Sequence, residues 1–162
     1  VGQSETDIAL VADTVVFCVQ PGSGDSLQFM KAGIMEVPHI AVVTKADLGD
    51  SAHQALSDMQ GALGLVANRE DGWPVKTLSL SALKNQGSSE LLEVIGEHWA
   101  WLQTNSRLEQ QRHEQARDWV QRAVLERFGR EGLAHLDKDV VLAKGQSPFS
   151  LEATLAAKLS WK

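Results

Sequence analysis

The chain has 162 residues, 43% of them hydrophobic and 22% charged, and a formal charge of −6. That length suits about one domain, and with no apolar run near the roughly 18 residues of a membrane span the composition excludes a membrane protein, a disordered tail and a collagen-like fibre. The acidic balance argues against a nucleic-acid binder; the single cysteine, Cys18, excludes a disulfide scaffold and a Cys-based zinc site and fits a reducing, cytoplasmic setting.

The chain opens on Val1 and Gly2-Gln3-Ser4-Glu5 without a targeting segment, and the expectation is a polypeptide that does not start where its gene does. Thr14-Val-Val-Phe-Cys-Val19, preceded by Asp13 and closed by Pro21-Gly22-Ser-Gly24, predicts a buried strand and a loop. Leu27, Met30, Lys31 and Ile34 then follow at helical spacing. His39-Ile-Ala-Val-Val43 predicts a second strand, Leu56, Met59 and Leu63 a helix, and Val75-Lys-Thr-Leu-Ser-Leu80 a third strand. Strands alternating with helices of this length predict an α/β fold with a parallel sheet and crossover helices.

Leu91, Leu92, Ile95, Trp99 and Leu102 predict a helix over 88–103 with that stripe lying on the sheet. Ser106 and Glu109 have the spacing of a capping box, so a further helix begins there; Ala116, Trp119, Val120, Ala123, Val124 and Phe128 carry it to a stop at Gly129. A last helix covers Ser150 to Leu159. Charge divides the chain at the same place: residues 1–103 carry 5 basic and 13 acidic side chains, net −8, and residues 104–162 carry 10 and 8, net +2. Arg107, Arg112, Arg117, Arg122 and Arg127 recur every five residues, which winds them around a helix as solvated charges and makes no single basic stripe.

The chemistry concentrates in Thr44-Lys45-Ala46-Asp47, at the carboxyl end of the second predicted strand, where open α/β sheets bind ligands. An aspartate there accepts two hydrogen bonds, from the N1–H and the exocyclic amine of guanine; adenine offers no such pair and leaves the carboxylate desolvated and unpaired. The stem of Lys45 lies along the base face. The alternative is a loop in which Asp47 or Asp50 only caps the next helix. At the next strand end, Ser81-Ala82-Leu83 forms a turn whose backbone N–H groups face guanine O6, alanine leaving the base room to approach.

Gly2-Gln3-Ser4-Glu5, Asp13-Thr14, Gly24-Asp25-x-Leu27-Gln28-x-x-Lys31-x-Gly33, Thr44-Lys45-Ala46-Asp47, Ser81-Ala82-Leu83 and His98-Trp99-Ala-Trp101-Leu102 follow in that order, and over most of its length the chain resembles the MeaB/ArgK-type G proteins. The resemblance implies a P-loop GTPase fold, binding of GTP and GDP with Mg²⁺, and service as a chaperone of cobalamin-dependent methylmalonyl-CoA mutase or a related acyl-CoA mutase. Older family names describe an ATPase or kinase of lysine, arginine and ornithine transport. It further implies that Thr44, Lys45, Asp47, Ser81, Ala82 and Leu83 bind guanine. Gly2, Gln3, Ser4 and Glu5 would be the tail of the loop that senses the γ-phosphate, with Gln3 either positioning water or making no nucleotide contact. Gly24, Asp25 and Lys31 would belong to a switch segment that contacts the partner, or to a plain crossover helix.

On this resemblance residues 1–103 are the C-terminal half of a GTPase domain, and residues 104–162 a helical extension that makes a homodimer, with packing onto the chain's own G domain the other use of Trp119 and Phe128. Two departures stand out. Thr44 replaces the usual asparagine and so has less bonding capacity toward the base. No Gly-x-x-x-x-Gly-Lys-[Ser/Thr] occurs in the chain, so it lacks a cradle for the α- and β-phosphates and a hydroxyl for Mg²⁺. The chain then reads as the C-terminal, base-reading part of a GTPase, inactive in hydrolysis by itself; the other reading is a non-catalytic dimerisation or partner-binding module. The five histidines show no metal-ligand spacing, and no metal site is expected.

Overall fold

In a computed structural model, which describes residues 4–22, 37–65, 72–134 and 146–159, the three apolar runs form strands β1 (Val16–Val19), β2 (Ile40–Val43) and β3 (Lys76–Ser79). They make one parallel sheet in the order β1-β2-β3, with Val16 beside Ile40 and Ile40 beside Lys76. The fold class is therefore α/β, as the alternation of strand and helix patterns predicts. Among the described residues, short 3₁₀ turns at Ser4–Leu10 and Ala46–Leu48 complete the loops. The segment with helical spacing at Leu27, Met30, Lys31 and Ile34 lies outside the described residues.

Helix α1 (Asp50–Leu65) joins β2 to β3. Its Ala52, Ala55, Met59 and Leu63 pack with Val19, Ala41 and Val43, and Phe17, Leu56 and Val75 flank that core. The alanines at 41, 52 and 55 keep the helix close to the sheet. The alternate β2 residues Ile40 and Val42 are also almost fully buried, so the central strand is enclosed on both faces, as a parallel strand with no solvent face requires.

Helix α2 (Ser88–Leu102) starts beside the carboxyl end of β3, and its His98 pairs with Thr14, just ahead of β1, at 2.9 Å, so it runs antiparallel to the strands. Its inward face differs from the expected stripe. Leu92 is 70% exposed and Trp99 40% exposed, whereas Leu91 is half-buried and His98 and Leu102 are fully buried. The spacing 91, 94, 95, 98, 102 follows the helical period more closely, and it admits a histidine because the site is polar. His98 stacks on Trp101 and lies 4.3 Å from the His39 ring, with Trp73 edge-on. His39 Nδ1 in turn accepts the Val15 N–H at 3.0 Å, and its carbonyl accepts the Trp73 indole N–H at 3.1 Å. These bonds tie the amino ends of β1 and β2 together.

The chain divides into two units, Val1–Asn105 and Ser106–Lys162, and the second holds α3 (Arg107–Ala134) and α4 (Pro148–Leu159). Asn105 and Ser106 are left-handed, with φ of 54° and 59°. Ser106 therefore lacks the extended backbone of a capping serine, although the helix does begin at the next residue. At Gly129 the helix breaks (φ 65°, ψ −163°) and a second stretch continues to Ala134 instead of ending there. Val120 and Val124 are buried with Trp119, Phe128, Leu151 and Leu155 around them, so the two aromatic residues pack within this unit, against α4. Phe149 meets Trp119 edge-on at 4.7 Å. Arg112, Arg117, Arg122 and Arg127 are exposed, as expected of solvated charges, whereas Arg107 is half-buried; Arg127 reaches Glu152 at 3.2 Å. No helix among the described residues is long and apolar enough to cross a membrane.

Replacing His39 by Phe keeps an aromatic ring in the cluster but leaves the buried Val15 N–H without the Nδ1 acceptor. The expected cost is about 1–3 kcal/mol of unfolding free energy, to be measured by urea denaturation; a variant as stable as the original would show that the bond contributes nothing.

Candidate functional site

The carboxyl ends of β2 and β3 build the site. Leaving β2, the Thr44 N–H donates to the Val19 carbonyl at 2.8 Å, and the Thr44 hydroxyl donates to the same oxygen at 3.1 Å. Its hydroxyl proton is thus committed to β1. Lys45 follows in the left-handed region at φ 53°, ψ 45°, a conformation that costs an L-residue roughly 1–2 kcal/mol. This turn lets the Ala46 N–H reach the Leu80 carbonyl at 3.0 Å, joining the loop after β2 to the end of β3. The single turn Ala46–Leu48 then carries Asp47, and α1 begins at Asp50.

On the β3 side, Ser81 and Gln86 exchange two backbone hydrogen bonds, each of 3.0 Å, and close a small hairpin. Asn85 takes φ 50° within it, which asparagine tolerates better than most residues. Ser81 is fully buried. Its Oγ accepts the Lys84 N–H at 3.1 Å and donates to Asp47 Oδ1 at 2.5 Å. Since the Lys84 amide must be the donor in the first bond, the hydroxyl proton points at the carboxylate. The sequence pattern marks Asp47 and Ser81 as separate strand-end residues; in the fold they are one hydrogen-bonded pair.

That bond is the main reason the Asp47 carboxyl lies below the usual aspartate range, followed by a hydrogen bond from its own backbone; the Lys84 and Lys45 charges help, against some desolvation. Ionised, Asp47 has about four acceptor positions over its two oxygens, and Ser81 takes one. Capacity for a pair of parallel N–H donors remains. Ala82 and Leu83 are exposed, Leu83 by 84%, so the hairpin tip that carries them is open.

Thr44, Lys45, Asp47, Ser81, Ala82 and Leu83 thus gather at one end of the sheet. Gly2, Gln3, Gly24, Asp25 and Lys31 lie outside the described residues, and Ser4 and Glu5 are described only as the start of the turn Ser4–Leu10. Among the described residues no three or more His, Cys, Asp or Glu side chains form a metal-binding group. Sequence reasoning missed Lys84, Gln86 and Gly87; the available signal was the Asn85 and Gly87 pair of turn formers on either side of Gln86.

Comparison with known proteins gives a consistent set of likenesses. Residues 1–135 match the family model described as methylmalonyl Co-A mutase-associated GTPase MeaB. The GTPase ArgK of Escherichia coli K12 is 33% identical over 138 residues, which is 84% of this chain and 40% of that protein. The mitochondrial methylmalonic aciduria type A homolog of Caenorhabditis elegans is 33% identical over 122 residues, 74% of this chain and 31% of that one. The crystal structure of an LAO/AO transport system kinase superposes with a TM-score of 0.63 at 25% identity, covering 99% of this chain and 54% of the other. The chain spans two-fifths or less of the length of these two curated relatives.

Because the folded carboxyl titrates below its unfolded value of about 3.9, the Asp47–Ser81 bond contributes stability at neutral pH that is lost as pH falls below about 4. An NMR titration of the Asp47 carboxyl carbon is expected to give a midpoint below that of an ordinary aspartate, and Ser81→Ala is expected to raise it. An unmoved midpoint would mean that Ser81 does not hold the carboxylate.

Proposed function

The chain belongs to the MeaB family of methylmalonyl-CoA mutase-associated GTPases, and from that premise we propose that the ends of β2 and β3 read the guanine base of GTP and GDP. The observation that carries this reading is the 2.5 Å bond from Ser81 to Asp47, which fixes a charged acceptor beside an open turn. Asp47 accepts the guanine N1–H and exocyclic amine, Lys45 lies along the base through its aliphatic stem, and the exposed turn at Ala82 and Leu83 offers backbone N–H groups to O6. The choice against adenine comes from leaving the acceptor positions that Ser81 does not take without the pair of base donors that guanine supplies. Thr44, with its hydroxyl donating to Val19, holds the loop to β1; guanine selection rests on Asp47.

In the intact protein the reaction is GTP hydrolysis. The parts that cradle the phosphates and hold Mg²⁺ are supplied by a phosphate loop that the 162-residue sequence does not contain. Residues 1–103 act as the C-terminal part of the GTPase domain and residues 104–162 as a helical extension that supports a homodimer. The biological role is that of a cytoplasmic chaperone for cobalamin-dependent methylmalonyl-CoA mutase; the family's description supports the association with the mutase. Gly2 to Glu5 serve the γ-phosphate switch and Gly24, Asp25 and Lys31 the partner-contacting segment.

Asp47→Asn tests the base reading. The amide offers one acceptor to N1–H and one donor to the extra carbonyl of xanthine, so preference should move from guanine toward xanthine nucleotides by about a hundredfold or more. Unchanged discrimination in a competition binding assay on the intact protein would overturn the guanine pocket. The partner reading predicts that the intact protein retains purified methylmalonyl-CoA mutase in a pull-down; failure in both GDP- and GTP-loaded states would remove the mutase from the proposal.

A further inference from the structure

Gly87 is the tightest point around the base-reading residues. It has φ 83° and ψ −7°, and a Cβ built on it would overlap the Ser79 carbonyl oxygen and stand 3.0 Å from Leu80 Cα and 3.2 Å from the Ser79 carbonyl carbon. The other positive-φ glycines among the described residues, Gly22, Gly49, Gly72 and Gly129, would have nothing within 4 Å of such an atom. Their backbone favours glycine, but only Gly87 also has backbone in the way. Ser79 and Leu80 cannot yield easily, since the Leu80 N–H donates to Val43 at 2.8 Å and its carbonyl accepts from Ala46 at 3.0 Å.

Gly87 also sits where three pieces meet. It follows directly on the Ser81–Gln86 hairpin, it lies against the end of β3, and its carbonyl accepts the Leu91 N–H that opens α2, at 3.0 Å. Any atom added there must displace the hairpin, the strand end or the helix start. The hairpin is the piece with the fewest other ties, and it carries Ser81.

We propose that Gly87 is a positioning residue for the Ser81–Asp47 pair: its missing side chain lets the Ser81–Gln86 hairpin close onto the end of β3, and the closed hairpin sets Ser81 Oγ against the Asp47 carboxylate. The consequence for nucleotide choice rests on the guanine reading above. Glycine at this position thereby sets specificity without touching the base.

The test is Gly87→Ala in the intact protein, with Gly72→Ala as the control that carries the positive φ, 77°, without the collision. Two quantities are measured: the Asp47 carboxyl midpoint by NMR, and the preference for guanosine over inosine, which lacks the exocyclic amine, by chemical-shift titration. Gly87→Ala should raise the midpoint toward that of Ser81→Ala and lower the guanosine preference about tenfold, the loss expected for one hydrogen bond to a charged acceptor. Gly72→Ala should change neither. A folded Gly87→Ala chain with an unmoved midpoint, or an equal rise in Gly72→Ala, overturns the proposal. If the original chain shows no guanosine preference while Gly87→Ala still raises the midpoint, the guanine reading fails and the positioning role stands. Should Gly87→Ala not fold, Gln86→Gly loosens the same hairpin without adding an atom; a raised midpoint there supports the role of the hairpin and an unmoved one overturns it.

Discussion

The hydrogen bond from Ser81 to Asp47 is the constraint around which the first unit is arranged. Two loops that follow different strands have to end within one bond length of each other, and the sheet register, the crossover through α1 and the left-handed turn at Lys45 all act to bring them there. Neither residue could do the same work alone. Without Ser81, Asp47 is a half-exposed carboxylate on a surface turn, free to rotate and well hydrated. With Ser81 buried and its proton directed by the Lys84 amide, one carboxylate oxygen is held in place and the ionised state is favoured.

The sheet is held at both ends by polar groups, and the two ends differ in kind. At the amino end His39 and His98 sit among Trp73 and Trp101, with bonds to Val15 and Thr14. These groups are enclosed and serve the fold. At the carboxyl end Lys45, Ala82 and Leu83 remain exposed, and a residue in a disfavoured backbone region persists there. Strain retained beside open polar groups at one end, with buried histidines at the other, is the asymmetry expected of a parallel sheet that binds ligands at its strand ends.

Much of this was legible in the amino-acid pattern. The β-branched runs around Val16, Ile40 and Lys76 announced the parallel sheet, and Thr44 to Asp47 with Ser81 to Leu83 announced a shared strand-end region, because order and position in an α/β chain imply proximity. What the pattern did not carry was the choice between two nearly equivalent helix faces. Leu92 and Trp99 are apolar, so the stripe through them reads as the buried one, yet His98 goes inside because His39 and Trp73 from distant segments, with Trp101 of its own helix, give it polar and aromatic neighbours. The Ser106 cap failed for a related reason: spacing identifies residues able to cap, whereas the left-handed backbone of Asn105 and Ser106 leaves no trace in spacing. Gly87 carries no signal in the sequence alone, because a missing side chain is informative only where the backbone it would strike is known.

The Ser81–Asp47 bond spans 34 positions of chain, with all of α1 and β3 between its two ends. It therefore has a place in time as well as in space. A chain emerging from synthesis can form the Thr44–Asp47 turn early, but the carboxylate has no hydroxyl to meet until β3 has docked and the hairpin after it has closed. The geometry of this pair thus appears only once β3 and its hairpin are in place, and on the guanine reading proposed above a nucleotide bound there would act on the folding chain as a lock, favouring molecules in which the β2–α1–β3 unit is complete over those still assembling it.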